Sequence, residues 1–437
     1  MIHLPYFGVK DFRAFEGRKD FHFRDITFLI GPNSSGKSSL VDALNIASGK
    51  PLIERYKLRN IINKNTDKDY FTLSFPLIFF QCNDIGEFKD KFHNASEQLS
   101  IKDCELYYNY LYTLSNLKIT LNFKTTDSEN NSIEVRLDSE DFFKDLVNIF
   151  KSFEDLDKSF FYFFKPYDDV INTIANYMPR ILAEIEKSIE PEFSSKTEFI
   201  RKMFEFNSKF ILTLEEEKVK NYNLIFLDKN GFVAKHENEF NQILTNIFWN
   251  FEGLNKKVIK YKNGNIYAGE LADENYDMEI ESYFGIGMQR FIKLFYNNIE
   301  TFKDSQPKII LIEEPEANLH PNLQAKLADL FVEIINKFNK FNVQLIVETH
   351  SEYLIRRMQY LIANTTQNAK TDLPKISPEQ VNIYYFNDPR KCKKEDHIYE
   401  IEFLNDGGLS RDFGEGFFDA SLDLMLLLSE IRNNKNN

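Results

Sequence analysis

Gly31-Pro32-Asn33-Ser34-Ser35-Gly36-Lys37-Ser38-Ser39 is the segment of this chain that is most informative about its fold. It has the form G-x-x-x-x-G-K-S. Its two glycines let the backbone curl until its N–H groups point at an anion. A helix that begins at such a loop directs the positive end of its dipole at the same anion. In this pattern Lys37 reaches the β- and γ-phosphates of a nucleotide, and the Ser38 hydroxyl holds Mg²⁺.

The residues on either side supply the context that such a loop needs. Residues 25–30 form a run typical of a buried strand, and apolar residues recur at helical spacing from Leu40 to Ala47. A plain glycine turn beside a surface lysine would not need this order of strand, loop and helix. We therefore predict that ATP is bound by Gly31, Asn33, Ser34, Ser35, Gly36, Lys37, Ser38 and Ser39.

A second cluster, Glu313-Glu314-Pro315-Glu316, follows a short apolar strand predicted at residues 308–312. A P-loop ATPase needs one carboxylate near Mg²⁺ and another beside the attacking water. Because side chains alternate along a strand, we expect Glu313 and Glu314 to point to opposite sides, one to the metal and the other to the water. An acidic strand end exposed to solvent is the plainer reading, and only the phosphate-binding loop makes the functional one preferable.

A third element ends in Glu348-Thr349-His350-Ser351, after a strand predicted at residues 343–347. An amphipathic helix predicted from Leu323 to Phe338 separates it from the acidic cluster. A lone histidine after a strand is more often structural than catalytic. Here, however, it ends the strand after the acidic one, and ligands of open α/β sheets bind at the carboxyl ends of strands. We therefore expect His350 to reach the γ-phosphate region.

These motifs together resemble the ABC-type ATPases of the AAA class that include the chromosome-maintenance (SMC), RecF and overcoming-lysogenization-defect proteins. Residues 9–15 resemble the first strand of that branch and its Asn-Phe-Arg turn, with Asp11 in place of Asn. Residues 312–321 resemble its Walker B strand and D-loop, and residues 348–351 resemble its H-loop. Residues 285–290 stand where the signature motif belongs, but Met288 replaces the usual serine. Residues 416–419 resemble the tail of one uncharacterised subfamily.

The resemblance implies an α/β fold, a mixed sheet with flanking helices, and a homo-oligomer that is at least a dimer. Two copies would face each other head to tail, with ATP between one phosphate-binding loop and the partner's signature segment. Glu314 would activate water, Glu313 and Ser38 would organise Mg²⁺, and His350 would sense the γ-phosphate. The further nucleotide-binding residues that it implies are Arg13, Gly285, Gly287 and Gln289. Such ATPases often gate a separate effector protein in defence against phage or in DNA processing.

Between these motifs the residue pattern of the chain changes. Residues 117–137 read as a β-hairpin, and from residue 139 onwards Phe, Tyr and Leu recur at helical spacing, for example from Phe142 to Phe153. This pattern fits a helical core or a compact insertion that serves dimerisation or partner docking. We predict an ATPase lobe at residues 1–138, a helical insertion at 139–255, and a second ATPase lobe at 256–437.

Composition narrows the class of protein. The net charge of −13 argues against a globally basic nucleic-acid binder, although local lysine and arginine runs at 256–262, 356–357 and 390–394 leave room for nucleic-acid contact. Three cysteines without paired spacing favour a reduced, cytoplasmic setting. No apolar run approaches the roughly 20 residues of a membrane span, so no membrane contact is expected.

Three alternatives stay open. A scaffold that binds ATP with little turnover would keep the same motifs, although Glu314 argues for hydrolysis. A nuclease of the overcoming-lysogenization-defect kind would need a Toprim domain with spaced carboxylates after the ATPase. The segment after His350 reads instead as strands and a short helical tail. A transporter ATPase would show the Leu-Ser-Gly-Gly-Gln signature and would lack the long insertion.

Overall fold

The computed structural model describes twelve continuous stretches of the chain and a few isolated helical positions between residues 86 and 294. The stretches are 4–49, 62–66, 69–77, 101–125, 133–137, 211–213, 225–226, 257–262, 265–270, 308–338, 343–368 and 373–414. The strands are β1 (Tyr6–Lys10), β2 (Arg18–His22), β3 (Ile26–Ile30), β4 (Tyr70–Pro76), β5 (Lys118–Thr125), β6 (Ile133–Leu137), β7 (Ile211–Thr213), β8 (Ile225–Phe226), β9 (Lys257–Lys262), β10 (Asn265–Glu270), β11 (Lys308–Glu313), β12 (Val343–Glu348), β13 (Val381–Phe386) and β14 (Ile398–Glu402). The longer helices are α1 (Lys37–Ala47), α2 (Ile101–Asn116), α3 (Pro321–Phe338) and α4 (Glu352–Gln367).

The central element is a six-stranded sheet in the order β14-β13-β3-β12-β11-β7. All its pairs are parallel except β13–β14. β3 and β13 are buried along their whole length, and β11 and β12 along nearly all of it. Such continuous apolar runs are what parallel strands need when both faces of a sheet are covered. The predicted mixed α/β fold is therefore confirmed.

Each face of this sheet carries its own hydrophobic core. Leu29, Leu311 and Ile346 point to the face that packs against α1 and the second sheet. The residues that alternate with these three along the same strands point to the opposite face of the sheet, which α3 and α4 cover. The period-two alternation of a strand produces this division, and it places the phosphate-binding loop and α1 on one side of the sheet.

The second sheet is antiparallel, with the strand order β2-β1-β4-β5-β6. The predicted hairpin at residues 117–137 is confirmed as β5 and β6, which pair in the register Leu121↔Leu137. Phe71 and Phe123 stack with ring centroids 4.7 Å apart inside the core beneath this sheet. This sheet and the central one hold α1 between them.

Most of the predicted helical insertion, 139–255, lies outside the described residues. Its described part is not helical throughout, because Ile211–Thr213 pairs in parallel with β11 and joins the central sheet as its edge strand. A short β-branched and aliphatic segment can satisfy its backbone groups by pairing with that open edge. Phe142, from the predicted aromatic stripe, is buried in the hydrophobic core that also contains α1. The three-part division of the chain stays a prediction.

No helix within the described stretches combines the length and the apolar character that crossing a lipid bilayer requires.

Candidate functional site

The phosphate-binding loop leaves β3 at Ile30 and enters α1 at Lys37. Gly31 has a φ of 152°, and a Cβ added there would lie 2.2 Å from the carbonyl oxygen of Phe386 on β13. Gly36 has a φ of 112°, and a Cβ added there would lie 2.9 Å from the Cβ of Ala14. The loop can therefore follow this path only with glycine at these two positions.

Lys37 is buried at the first position of α1, and its ammonium group lies inside the curve of the loop. Its Nζ donates hydrogen bonds to the carbonyl oxygens of Gly31 and Pro32, at 2.9 and 3.0 Å. It also lies 3.9 Å from Oε1 of Glu348. Burial lowers the pKa of Lys37, and the charge of Glu348 opposes that effect. The lysine therefore places a positive charge at the centre of the loop.

The remaining loop residues fit an anion-binding role. Asn33, Ser34 and Ser38 are exposed, and Ser39 is half-buried. Ser35 is buried, and its Oγ has no hydrogen-bond partner among the described residues. A buried hydroxyl without a partner is costly unless a ligand or water satisfies it. The loop therefore offers backbone N–H groups, a cation and an unsatisfied hydroxyl, a set of groups suited to a phosphate.

His397, in the segment between β13 and β14, forms a hydrogen bond with the backbone of this loop. Its Nε2 lies 2.7 Å from the carbonyl oxygen of Ser35, and both residues are buried. Because a carbonyl oxygen only accepts, Nε2 must carry the proton in this contact. Burial lowers the pKa of His397, and the hydrogen bond to Ser35 partly offsets this effect. The segment between β13 and β14 thus fixes the backbone of a loop 362 residues earlier.

Glu348, the last residue of β12, is the carboxylate that contacts the loop. Its Oε1 accepts a hydrogen bond of 2.9 Å from Oγ of Ser38. Its Oε2 is buried without a hydrogen-bond partner among the described residues. Burial raises the pKa of Glu348 to about 7; Lys37 and Ser38 oppose this rise, and Glu313 adds to it.

The strand-alternation argument for Glu313 and Glu314 is corrected by the backbone. β11 ends at Glu313, and Glu314 has a positive φ of 43°. Alternation therefore does not set the direction of Glu314, whose N–H donates to the carbonyl oxygen of Glu348 at 2.8 Å. The chain leaves the sheet at this point because the left-handed residue turns it into the loop ahead of Pro315.

Glu314 lies beside His350. Its Oε1 is 3.7 Å from Nε2 of His350, and both side chains are partly exposed. Burial and the charge of Lys37 lower the pKa of His350, whereas Glu314 raises it. Glu314, Glu348 and His350 each offer a ligand atom within 4.8 Å of those of the other two. The carboxyl ends of β11 and β12 therefore bring two acids and a histidine to the phosphate-binding loop.

A partly buried hydrogen-bond network joins the loop after β11 to the loop after β12. Glu316 accepts a hydrogen bond of 2.6 Å from the backbone N–H of His350. Gln324 donates to the carbonyl oxygen of Leu319 at 2.9 Å and accepts from Oγ of Ser351 at 2.6 Å. Burial raises the pKa of Glu316. These contacts connect the loop after β11 with the loop after β12.

Arg13 belongs to the turn after β1 and has a positive φ of 47°. Its guanidinium group forms an ion pair with Asp42 on α1. Its carbonyl oxygen accepts a hydrogen bond of 2.7 Å from Asn63. The structure thus attaches Arg13 to the helix that begins at the phosphate-binding loop.

The other predicted positions are placed less completely. Gly285, Gly287 and Gln289 lie outside the described residues. Of the basic runs, Arg356 and Arg357 form ion pairs with Glu352 and Asp329. In the run at 390–394, Arg390 pairs with Asp388 and Lys394 pairs with Glu16. Four of these cations therefore have acidic partners within this chain.

Two residues of the site were not singled out from sequence. In the sequence Glu348 stands out only as part of the H-loop resemblance; the available signal is that an acid follows the strand predicted at residues 343–347, whereas the position of this strand beside β3 is known only from the folded sheet. His397 lies in a segment without a recognisable motif, and no sequence pattern connects it with Ser35. Both contacts depend on strand order in the folded sheet.

The family model described as the AAA ATPase domain matches residues 6–355. Among curated proteins, the endonuclease GajA of Bacillus cereus (strain HuB5-5) is 24% identical over 413 residues, which cover 80% of this chain and 55% of GajA. This chain thus spans about half the length of that relative. Structural maintenance of chromosomes protein 1B of Homo sapiens is 40% identical over 62 residues, 14% of this chain and 5% of that protein.

Among solved structures, the SMC head domain from Thermotoga maritima aligns with 92% of this chain and 99% of its own, at 12% identity and a TM-score of 0.39. The family match confirms the resemblance to AAA-type ATPases that the motifs predicted.

Proposed function

Since this chain belongs to the AAA ATPase domain family, we propose that it binds ATP with Mg²⁺, hydrolyses it, and acts as a switch for a separate effector protein. One observation carries this proposal. Glu314 and His350 lie 3.7 Å apart at the strand ends, and Ser38 in the phosphate-binding loop bonds to Glu348 of the same β12 end. An ATPase needs a phosphate cradle, a metal-binding hydroxyl and a base within this small volume.

Each residue has a role that its position supports. Lys37, at the centre of the loop, neutralises phosphate charge. Mg²⁺ would offset the charge of the β- and γ-phosphate oxygens, with Ser38 and Glu313 among the groups that hold it. Glu314 accepts the proton of the attacking water, because its side chain is partly exposed and lies 3.7 Å from His350. His350, beside Glu314, donates a hydrogen bond towards the γ-phosphate.

Two copies of the chain would complete the site. The segment with Gly285, Gly287 and Gln289 would contact the γ-phosphate bound by the partner copy, as in the ATPases that this chain resembles. ATP binding would then close the dimer and hydrolysis would open it, and this change would be read by the effector. Residues 139–255 are the candidate surface for that effector because their aromatic content is typical of protein interfaces.

The relationship to an endonuclease supports a second candidate function. The relative named endonuclease GajA shares 24% identity with this chain, which covers 55% of its length. A role as the ATPase part of a DNA nuclease system is therefore the alternative to a switch for some other effector. A scaffold with very slow turnover is the third candidate, because it would use the same loop.

The chemistry is tested by replacing Glu314 with Gln. The amide keeps the shape of the side chain but cannot accept a proton, so the steady-state rate should fall by about 10²–10⁴-fold while ATP still binds. Glu352→Gln, a partly exposed acid in the first turn of α4, is the matched control and should leave the rate unchanged. Lys37→Ala should lose binding itself. Phosphate release by Glu314→Gln at the wild-type rate would exclude Glu314 as the base.

The shared site is tested by mixing two inactive variants. Gly287→Arg would place a bulky charge in the signature segment, and it should abolish hydrolysis while ATP still binds. Lys37→Ala removes the loop cation. A mixture should recover activity at one composite site, because each copy supplies the half that the other lacks. No recovery, with heterodimers shown to form, would contradict a site shared between copies.

The output is tested by a nuclease assay on the purified protein. We expect Mg²⁺-dependent ATP hydrolysis without cleavage of DNA or RNA. Metal-dependent cleavage that a point substitution in this chain abolishes would refute the proposal that the effector is a separate protein.

A further inference from the structure

We propose that Glu348 is a second carboxylate ligand for Mg²⁺, and that it forms a two-carboxylate metal site with Glu313 and Ser38. The inference rests on the proposed ATP-binding function, and it adds a metal-binding residue to it. It also gives a purpose to the most deeply buried acid of the site, to which the hydrolysis mechanism assigns no step.

Glu313 and Glu348 are direct partners in the parallel pairing of β11 and β12. Residues paired in this way point to the same face of a sheet. Two positions earlier, Leu311 and Ile346 pack into the core that contains α1. The period of two therefore places both glutamates on the face from which α1 and the phosphate-binding loop rise. Two neighbouring strands thus deliver one carboxylate each to the same side.

The distance between Ser38 and Glu348 suits an octahedral cation. With bonds of about 2.0–2.1 Å, two adjacent ligands of Mg²⁺ lie about 2.9 Å apart. Oγ of Ser38 and Oε1 of Glu348 are 2.9 Å apart. They could therefore bind the same ion with little movement, once the hydroxyl proton turns away from the carboxylate. Mg²⁺ commonly takes one or two carboxylates and fills its other positions with phosphate oxygens and water.

Glu348 also has a carboxylate oxygen that could bind a cation or accept a hydrogen bond. Its side chain is 4% exposed, and Oε2 has no hydrogen-bond partner among the described residues. A buried carboxylate oxygen without a partner costs free energy unless a cation or donor meets it. The nearby charge of Lys37, 3.9 Å from Oε1, meets the other oxygen. A divalent cation beside Glu348 would satisfy the group that the protein leaves unsatisfied.

The competing explanation is that Glu348 serves only as a counter-ion that keeps Lys37 and Ser38 in place. The two roles predict a different metal dependence for the effect of Glu348→Gln on ATP binding. A structural counter-ion would be needed equally with and without metal. A metal ligand would be needed only with metal, whereas in its absence removal of a negative charge near the phosphates would leave ATP binding unchanged or tighter.

The test is equilibrium binding of a fluorescent ATP analogue to the purified 437-residue chain, measured in Mg²⁺ and in EDTA. For Glu348→Gln we expect the Mg²⁺-dependent gain in affinity to fall at least tenfold, with affinity in EDTA unchanged or higher. Glu313→Gln should behave in the same way, and it provides a second variant if Glu348→Gln folds poorly. Glu352→Gln is the control and should match the wild type in both buffers.

A second measurement observes the environment of the bound metal ion directly. Mn²⁺ replaces Mg²⁺, and its electron paramagnetic resonance spectrum with ATP and protein should change between the wild type and Glu348→Gln. An unaltered Mg²⁺-dependent gain, or an equal loss in Mg²⁺ and EDTA, would overturn the metal role of Glu348 while leaving the ATPase proposal intact. Failure of the wild type to bind ATP in either buffer would instead refute the proposed function, and the metal site with it.

Discussion

Replacing His397 by Leu removes the buried hydrogen bond of 2.7 Å between its Nε2, in the segment between β13 and β14, and the carbonyl oxygen of Ser35. Leu fills a similar volume, so the change mainly deletes the donor. A buried carbonyl oxygen left without its partner costs about 1–3 kcal/mol. We expect this cost to fall on the phosphate-binding loop, because Ser35 lies within that loop, between Ser34 and Gly36.

The size of the effect on ATP follows from this cost. A tenfold change in affinity corresponds to about 1.4 kcal/mol. If the whole cost is borne by the loop conformation that binds phosphate, ATP affinity should fall by about 5–150-fold. If part of the cost is spread over the fold, thermal stability falls and the loss of affinity is smaller.

The assay is titration of a fluorescent ATP analogue, with thermal unfolding measured in parallel. His397→Gln is the matched variant, because its amide Nε2 can donate from nearly the same place and should restore most of the affinity. His22→Leu, an exposed histidine on β2, should behave as the wild type. Equal affinity in His397→Leu and His397→Gln would refute the argument that this hydrogen bond holds the loop.

Two further predictions concern other contacts, and a third concerns the pH dependence of His397. Gly31→Ala should weaken ATP binding about tenfold or more, because the added Cβ meets the Phe386 carbonyl and strained backbone costs about 1–3 kcal/mol; normal binding in the same titration would contradict this. Gln324→Met and Ser351→Ala should each destabilise the protein in urea, and the double variant should lose about 1 kcal/mol less than the sum of the singles. Additive losses would show that the two residues act independently. Burial lowers the pKa of His397, so its contribution to stability is complete above the unfolded pKa of about 6.5 and is lost as the pH falls below it. The thermal midpoint should therefore drop less between pH 7 and pH 5 in His397→Gln than in the wild type, and an equal drop would exclude His397 as the source.

Local sequence patterns were sufficient to predict the loop and the strands that position the site residues. The glycines and lysine of residues 31–38 specify a phosphate-binding loop because each residue type meets a local backbone or charge requirement. The apolar runs before Glu313 and Glu348 specify strands for the same local reason, and the hairpin at 117–137 is readable from its alternation. The α/β class follows from these elements in sequence, without knowledge of which strands are neighbours.

The order of the strands, by contrast, was decided only in the folded protein. β12 lies between β3 and β11, and this order brings Glu348 to Ser38 and pairs it with Glu313. The positive φ of Glu314 overrode the strand alternation expected from sequence, because the chain must turn there to leave the sheet.

Residue types and their immediate neighbours were thus enough to predict which residues could bind phosphate, hold metal and accept a proton, since those properties belong to the side chains and their local surroundings. The tertiary structure alone decided which of them meet, because Ser35 and His397 are 362 positions apart and no local pattern encodes a contact of that range. The parallel pairing of the strands brings Ser35 and His397 together, and the burial of the site leaves Oε2 of Glu348 without a hydrogen-bond partner among the described residues.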